Sequence, residues 1–171
     1  ARSCSTRSSR ANGGPFPIRL YFTTAEIDTM CSDKLEEVGL FPKTPEPIRI
    51  ERLVEKGFTT NVGYEDLPDG CLGLTGFDKN GAVQCVRLSS SLASDTCAAS
   101  ERRARSTWAH EAGHCLLHPS LFIEDATMPL GLDLGRKKEI DRRILCRASD
   151  VTPVSCDSQR RYDGRWWEWQ A

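Results

Sequence analysis

An α+β domain, with a small antiparallel sheet packed on one long helix, is the fold class that this chain of 171 residues predicts. Three observations point to it. Asp78-Lys79-Asn80-Gly81 is a tight-turn signal between two apolar runs, 72–77 and 82–88, and so marks a β-hairpin. Residues from about 101 to 118 read as one continuous helix that stops at Pro119. The helical signals come before and after the strands, in the order helix, helix, three strands, long helix and a further helix start.

The elements follow in order. Residues 1–17 are rich in Ser, Arg and Gly and are expected to be a disordered lead-in to a domain over 18–171. Thr23, with Glu26 three residues on, forms a capping box. Ile27, Met30, Leu35 and Val38 then recur with near-helical spacing as far as Gly39, a natural C′ stop. Residues 42–47 are a proline-bounded linker. A short helix over 48–56 would turn Ile50, Leu53 and Val54 to a core and end at Gly57. Residues 58–64, with Thr59, Thr60 and Val62, read as a strand, and the hairpin supplies two more. Residues 89–100 are a polar connection into the long helix. Pro129, Gly131 and Gly135 make 120–137 irregular, 139–146 reads as a short helix, and 149–164 as loop. Residues 165–171 look like the opening of another helix. No internal repeat is visible.

Hydrophobic residues make up 39% and charged residues 27%, enough for a packed core. The net charge of −1 provides no global footprint for nucleic acid or a membrane surface. No apolar run reaches the length of a membrane span, and residues 1–15 lack the apolar stretch of a secretory leader. A cytoplasmic protein is therefore expected. The eight cysteines fit that expectation as mostly reduced, buried residues. One pairing can be tested by register. With Asn80-Gly81 at the turn, Cys85 faces Gly76, five residues from Cys71, which is about 16 Å along the strand and beyond disulfide reach. There is no CxxC spacing. Cys146 and Cys156, on one loop-rich stretch, are the best candidates for a bridge or a second metal.

All three histidines, His110, His114 and His118, fall in Thr107–Pro119, as Thr-Trp-Ala-His-Glu-Ala-Gly-His-Cys-Leu-Leu-His-Pro. On a helix His110 and His114 lie on one face, a turn apart, and two such imidazoles can bind one ion. Zinc accepts nitrogen ligands, and a catalytic zinc keeps one position open to water. Glu111 follows the first His, where its carboxylate can take that water's proton. The uncharged Ala112, Gly113, Cys115 and Leu116 suit a helix buried behind such a site. A core helix with satisfied histidines would explain neither Glu111 nor these flanks. His118 repeats the four-residue step, but it lies about 12 Å along the axis from His110 and cannot join the same ion. It is expected near the helix C-terminus, where a partly protonated imidazole suits the dipole, with a role in orienting a ligand or touching substrate as the alternative. A third protein ligand must come from elsewhere. The candidates are Glu124, Asp125, Glu139, Asp141 and Glu168, among which spacing does not choose. Glu168 stands between Trp167 and Trp169, where a carboxylate is costly to bury unless it is paired or bound to metal.

The order of elements and the run from Arg102 through His118 resemble the ImmA/IrrE family of zinc metallopeptidases. The family's helix reads (T/L)AHExGHxLLH. A second signature begins with Glu followed by Gln/Glu-Ala-Asn, and this chain shows its opening, Glu168-Trp169-Gln170-Ala171. The resemblance covers roughly residues 48–171, with 120–164 as an insertion. It implies a zincin-like fold, zinc held by His110, His114 and Glu168, and Glu111 as general base, with Glu139 the rival third ligand. It further implies hydrolysis of peptide bonds in a protein substrate. Several family members are intracellular and act on helix-turn-helix repressors in stress responses or mobile elements. Tyr162 and His118 are possible groups for steadying the oxyanion. Two other readings compete: a non-catalytic metallopeptidase-like module that docks a regulator, and a structural zinc domain closed by Cys115 or Cys146. Cys115 points about 100° away from His114 round the helix and reads as a core residue. The four tryptophans read as core or interface packing.

Overall fold

The structure, a computed structural model, describes residues 7–10, 16, 18–94, 97–123, 142–147 and 165–171. The chain opens with β1 (Arg7–Arg10) and β2 (Ile18–Tyr21), paired antiparallel with Arg7 opposite Tyr21. The expected disordered lead-in is thus corrected where it is described. Arg7–Arg10 is a strand, and Phe16 packs edge-on against Phe122 and Trp167 at 5.5 and 5.2 Å between ring centroids. A polar strand has little apolar signal to read, and its order comes from pairing with β2.

Helix α1 (Thr24–Glu37) begins at the capping box that the sequence announces. Thr23 Oγ1 accepts from Glu26 N at 3.2 Å, and Thr23 N donates back to Glu26 Oε2 at 2.6 Å. The helix ends in a Schellman motif: Gly39 takes φ 69°, Gly39 N donates to Glu36 O, and Leu40 N donates to Leu35 O at 2.8 Å. Helix α2 (Ile50–Gly57) buries Leu53 and Val54.

Strands β3 (Val62–Glu65), β4 (Cys71–Phe77), β5 (Val83–Ser89) and β6 (Arg143–Arg147) form a sheet in the order β3-β5-β4-β6. The β4–β5 hairpin has the predicted register, with Gly76 opposite Cys85. Asp78 Oδ1 accepts from the amides of Asn80 and Ala82 at 2.8 Å each, and Gly81 supplies the positive φ. The expectation of an all-antiparallel sheet is corrected. β5 returns from the hairpin on the β3 side of β4 and pairs parallel with β3, so the sheet is mixed. Residue patterns specify which runs are strands but not their neighbours. The short helix expected over 139–146 is also corrected, since β6 pairs antiparallel with β4. Ile144 and Cys146 are buried while Arg143 and Arg147 face out, a period of two that the basic residues of the stretch disguise.

Helix α3 (Ala98–Leu117) crosses the sheet, and Pro119 opens a single 3-10 turn, Pro119–Phe122. Helix α4 (Trp166–Gln170) has one turn. Two apolar clusters result. One joins Val54 of α2, Val86 and Leu88 of β5, and Trp108, Ala112 and Cys115 of α3. The other joins Leu20, Phe77, Phe122, Ile144, Trp166 and Trp167. Among the described residues no helix is long and apolar enough to cross a membrane.

Candidate metal centre

The two faces of α3 do different work. Trp108, Ala112 and Cys115 enter the first core, while His110, His114 and His118, spaced by four, turn towards α4. The outer half of the helix is exposed at Arg102, Arg103 and Arg105, and burial begins at Thr107.

His110 Nε2 and His114 Nε2 are 3.1 Å apart, with the rings edge to face at 4.7 Å between centroids. Glu168 Oε2 lies 3.0 Å from His110 Nε2 and 3.5 Å from His114 Nε2. His110, His114 and Glu168 form a group that could hold a metal ion. The group is sealed, with exposures of 7% and 0% for the two histidines and 6% for the Glu168 side chain. Burial pushes the Glu168 carboxyl up, but the imidazoles beside it, His110 first and then His114, pull it down harder, to about 2. The group therefore brings together two imidazole nitrogens from α3 and an anionic oxygen from α4.

A one-turn helix does not hold a ligand unaided, and α4 is clamped from both flanks. Trp166 and Trp167 are buried in the second core against Phe16, while Trp169 is 63% exposed. The helical turn that buries the first two indoles thus aims Glu168 at α3. On the other side the Ala171 backbone lies on Gly113. A Cβ there would meet Ala171 O at 2.7 Å and Ala171 Cα at 2.8 Å, so only glycine admits the approach.

His118 differs from its expected state. It caps α3 through its backbone amide but is fully buried, not solvated at a helix end. Burial first, then the neighbouring His114, lowers its pKa to about 3, so the imidazole is neutral. Its Nδ1 lies 2.9 Å from His114 Nδ1 and its Nε2 3.4 Å from Gln170 Oε1. Its ring nitrogens thus contact His114 and Gln170.

Glu111 is fully buried and turns to the sheet, where its Oε2 accepts a hydrogen bond from the Thr75 hydroxyl. Gly73 on the same strand leaves room for the carboxylate, because a Cβ there would collide with it. Cys115 is buried in the first core, as expected, and burial pushes its thiol well up. Cys31, Cys71, Cys85 and Cys115 are free thiols. Cys156, Glu124, Asp125, Glu139, Asp141 and Tyr162 lie outside the described residues. Sequence reasoning missed Gly73, Thr75, Gln170 and Leu20 as partners of the site. Thr75 left a trace, as the polar residue in the otherwise apolar Cys-Leu-Gly-Leu-Thr-Gly-Phe strand. Leu20 left none, since it acts through its backbone carbonyl.

Comparison with protein-family models, with curated proteins and with solved structures found no match to this chain.

Proposed function

We propose that this protein is a zinc-dependent peptidase acting on a protein substrate, of the kind that the ImmA/IrrE resemblance implies, with a zincin-like architecture and an intracellular setting as part of the same reading. The observation that carries it is the convergence of His110 Nε2, His114 Nε2 and Glu168 Oε2. Their separations of 3.1, 3.0 and 3.5 Å match the edges of about 3.3 Å expected for tetrahedral zinc with bonds near 2.0–2.1 Å. Two nitrogens and one carboxylate are also a ligand set of catalytic zinc sites, which leave one position open.

Zinc held there would supply Lewis acidity, acidifying water and polarising a carbonyl. The residues of the chain do the rest. Glu111, next to His110 in sequence, takes a proton from the attacking water and returns it to the leaving amine. The Thr75 hydroxyl fixes one oxygen of that carboxylate, so its orientation does not depend on solvent. The two neutral imidazoles would give lone pairs, and Glu168 would offset one of the ion's two positive charges. A helix-turn-helix repressor is the substrate class the resemblance suggests.

One observation favours a second reading, the non-catalytic docking module. Glu111 is fully buried on the sheet side. The Glu111→Gln variant separates the two. For a peptidase, zinc stoichiometry is unchanged and hydrolysis of a cleaved repressor or reporter polypeptide falls by about 10²–10⁴-fold. Unchanged cleavage in the variant would refute Glu111 as base, and a wild-type chain that takes up no zinc would end the metal reading.

A further inference from the structure

We propose that Gln170 and His118 form a hydrogen-bond relay that sets the tautomer of His114, so that His114 Nε2 meets the cation as a bare lone pair. This inference rests on reading His110, His114 and Glu168 as a metal centre.

The relay begins at a backbone carbonyl. Gln170 Nε2 lies 2.9 Å from Leu20 O. A carbonyl oxygen only accepts, so the amide NH₂ must face Leu20 and Oε1 must face away. Gln170 Oε1 is 3.4 Å from His118 Nε2, the longest link in the chain. That oxygen also only accepts, so the proton of His118 sits on Nε2. His118 is fully shielded from water and its ring nitrogens face an imidazole and an amide, where a charged ring would lack a counter-ion, so the ring is neutral. A neutral imidazole carries one N–H, which leaves His118 Nδ1 as an acceptor. It stands 2.9 Å from His114 Nδ1. Two lone pairs do not meet at that distance, so His114 Nδ1 carries the proton and donates. The other nitrogen of His114 is then unprotonated; it faces His110 Nε2 at 3.1 Å and Glu168 Oε2 at 3.5 Å, and the proton that Glu168 accepts at 3.0 Å is the one on His110 Nε2.

Rotating one amide would reverse every step. Gln170 would donate to His118, His118 to His114, and His114 would point a proton into the site. Leu20 prevents this, because the rotated amide would set two carbonyl oxygens against each other at 2.9 Å. The common arrangement gives a ligand histidine a carboxylate or backbone carbonyl as its outer partner. Here a neutral imidazole takes that place, and its own orientation is dictated from β2. Gln170 and His118 are positioning residues, since they touch His114 and not the cation.

The test uses the full 171-residue chain, ¹⁵N-labelled and metal-free, in two-bond ¹H–¹⁵N correlation spectra near neutral pH. The expected result is His118 protonated on Nε2 and His114 on Nδ1. A proton on His118 Nδ1 or on His114 Nε2 overturns the relay. A competition titration with zinc then compares the wild type with Gln170→Met, which fills the space without an acceptor. A 10–100-fold loss of affinity, together with mixed tautomers at His118 and unchanged far-UV circular dichroism, supports it. Unchanged affinity and tautomers in that variant refute it. Should Gln170→Met not fold, the wild-type spectrum still decides. The two readings fail separately: the expected tautomers in a chain that binds no zinc keep the relay and remove the metal centre, whereas reversed tautomers in a chain that binds zinc do the opposite.

Discussion

Thr75 donates a hydrogen bond to the buried Glu111 carboxylate, and both groups are fully shielded from water. Thr75→Val keeps the shape and removes the donor. Chemical denaturation should show a loss of about 1–3 kcal/mol, the usual cost of a buried polar group deprived of its partner, with zinc stoichiometry intact. A change within about 0.5 kcal/mol, typical of an inert surface position, would mean that water or another group replaces the hydroxyl. The thiols offer a second check at this scale. Cys31 is exposed, while Cys115 is 2% exposed and burial raises its pKa. Iodoacetamide at mildly alkaline pH should label Cys31 in the native chain and spare Cys115 until denaturant is added; early labelling of Cys115 would contradict the packing behind α3. His110, Glu111 and His114 were legible in sequence because spacing by four is itself the geometry. The neutrality of His118 was not, since it depends on burial by Trp166 and α4 from more than forty residues away.

Helix α4 is the weakest element by its own propensity and the most demanding in its task. Its fifth and last residue is Gln170, and the backbone of the next residue, Ala171, rests on Gly113. Gly113→Ala introduces a Cβ into backbone atoms that have no rotamer to yield, so α4 should lift from α3. The expected outcome is a zinc affinity at least tenfold weaker, read by competition titration, with α3 and the hairpin still protected in hydrogen exchange. Equal affinity in the variant would show that Glu168 reaches the ion without this contact. Elements whose signals are local were readable in advance, such as the capping box of α1 and the turn after Phe77. β1 and β6 were not, because each is ordered by a partner distant in sequence, β2 for one and β4 for the other. The parallel pairing of β3 with β5 belongs to the same class.

In the whole molecule the site joins two cores. Trp108, Ala112 and Cys115 anchor α3 in one, and Trp166 and Trp167 anchor α4 in the other. An ion bound between them favours the folded chain by mass action, about 2.7 kcal/mol at a hundred times its Kd. Zinc should therefore raise the thermal midpoint, a chelator should reverse the rise, and His114→Ala should abolish it. A midpoint indifferent to zinc in the wild type would argue against a centre that bridges the cores. The α+β class was legible from hydrophobic periods and turns, but the joining of the chain's two flanks was not, because Leu20 and Gln170 are 150 positions apart. The 58 positions from His110 to Glu168 matter also during biosynthesis. A ribosome adding about 5–20 residues per second delivers both imidazoles several seconds before the carboxylate. On the proposed reading, the nascent chain in that interval holds two imidazoles without Glu168, so peptidase activity would switch on only once α4 has emerged and docked, and the polypeptide being made would be shielded from its own chemistry until then.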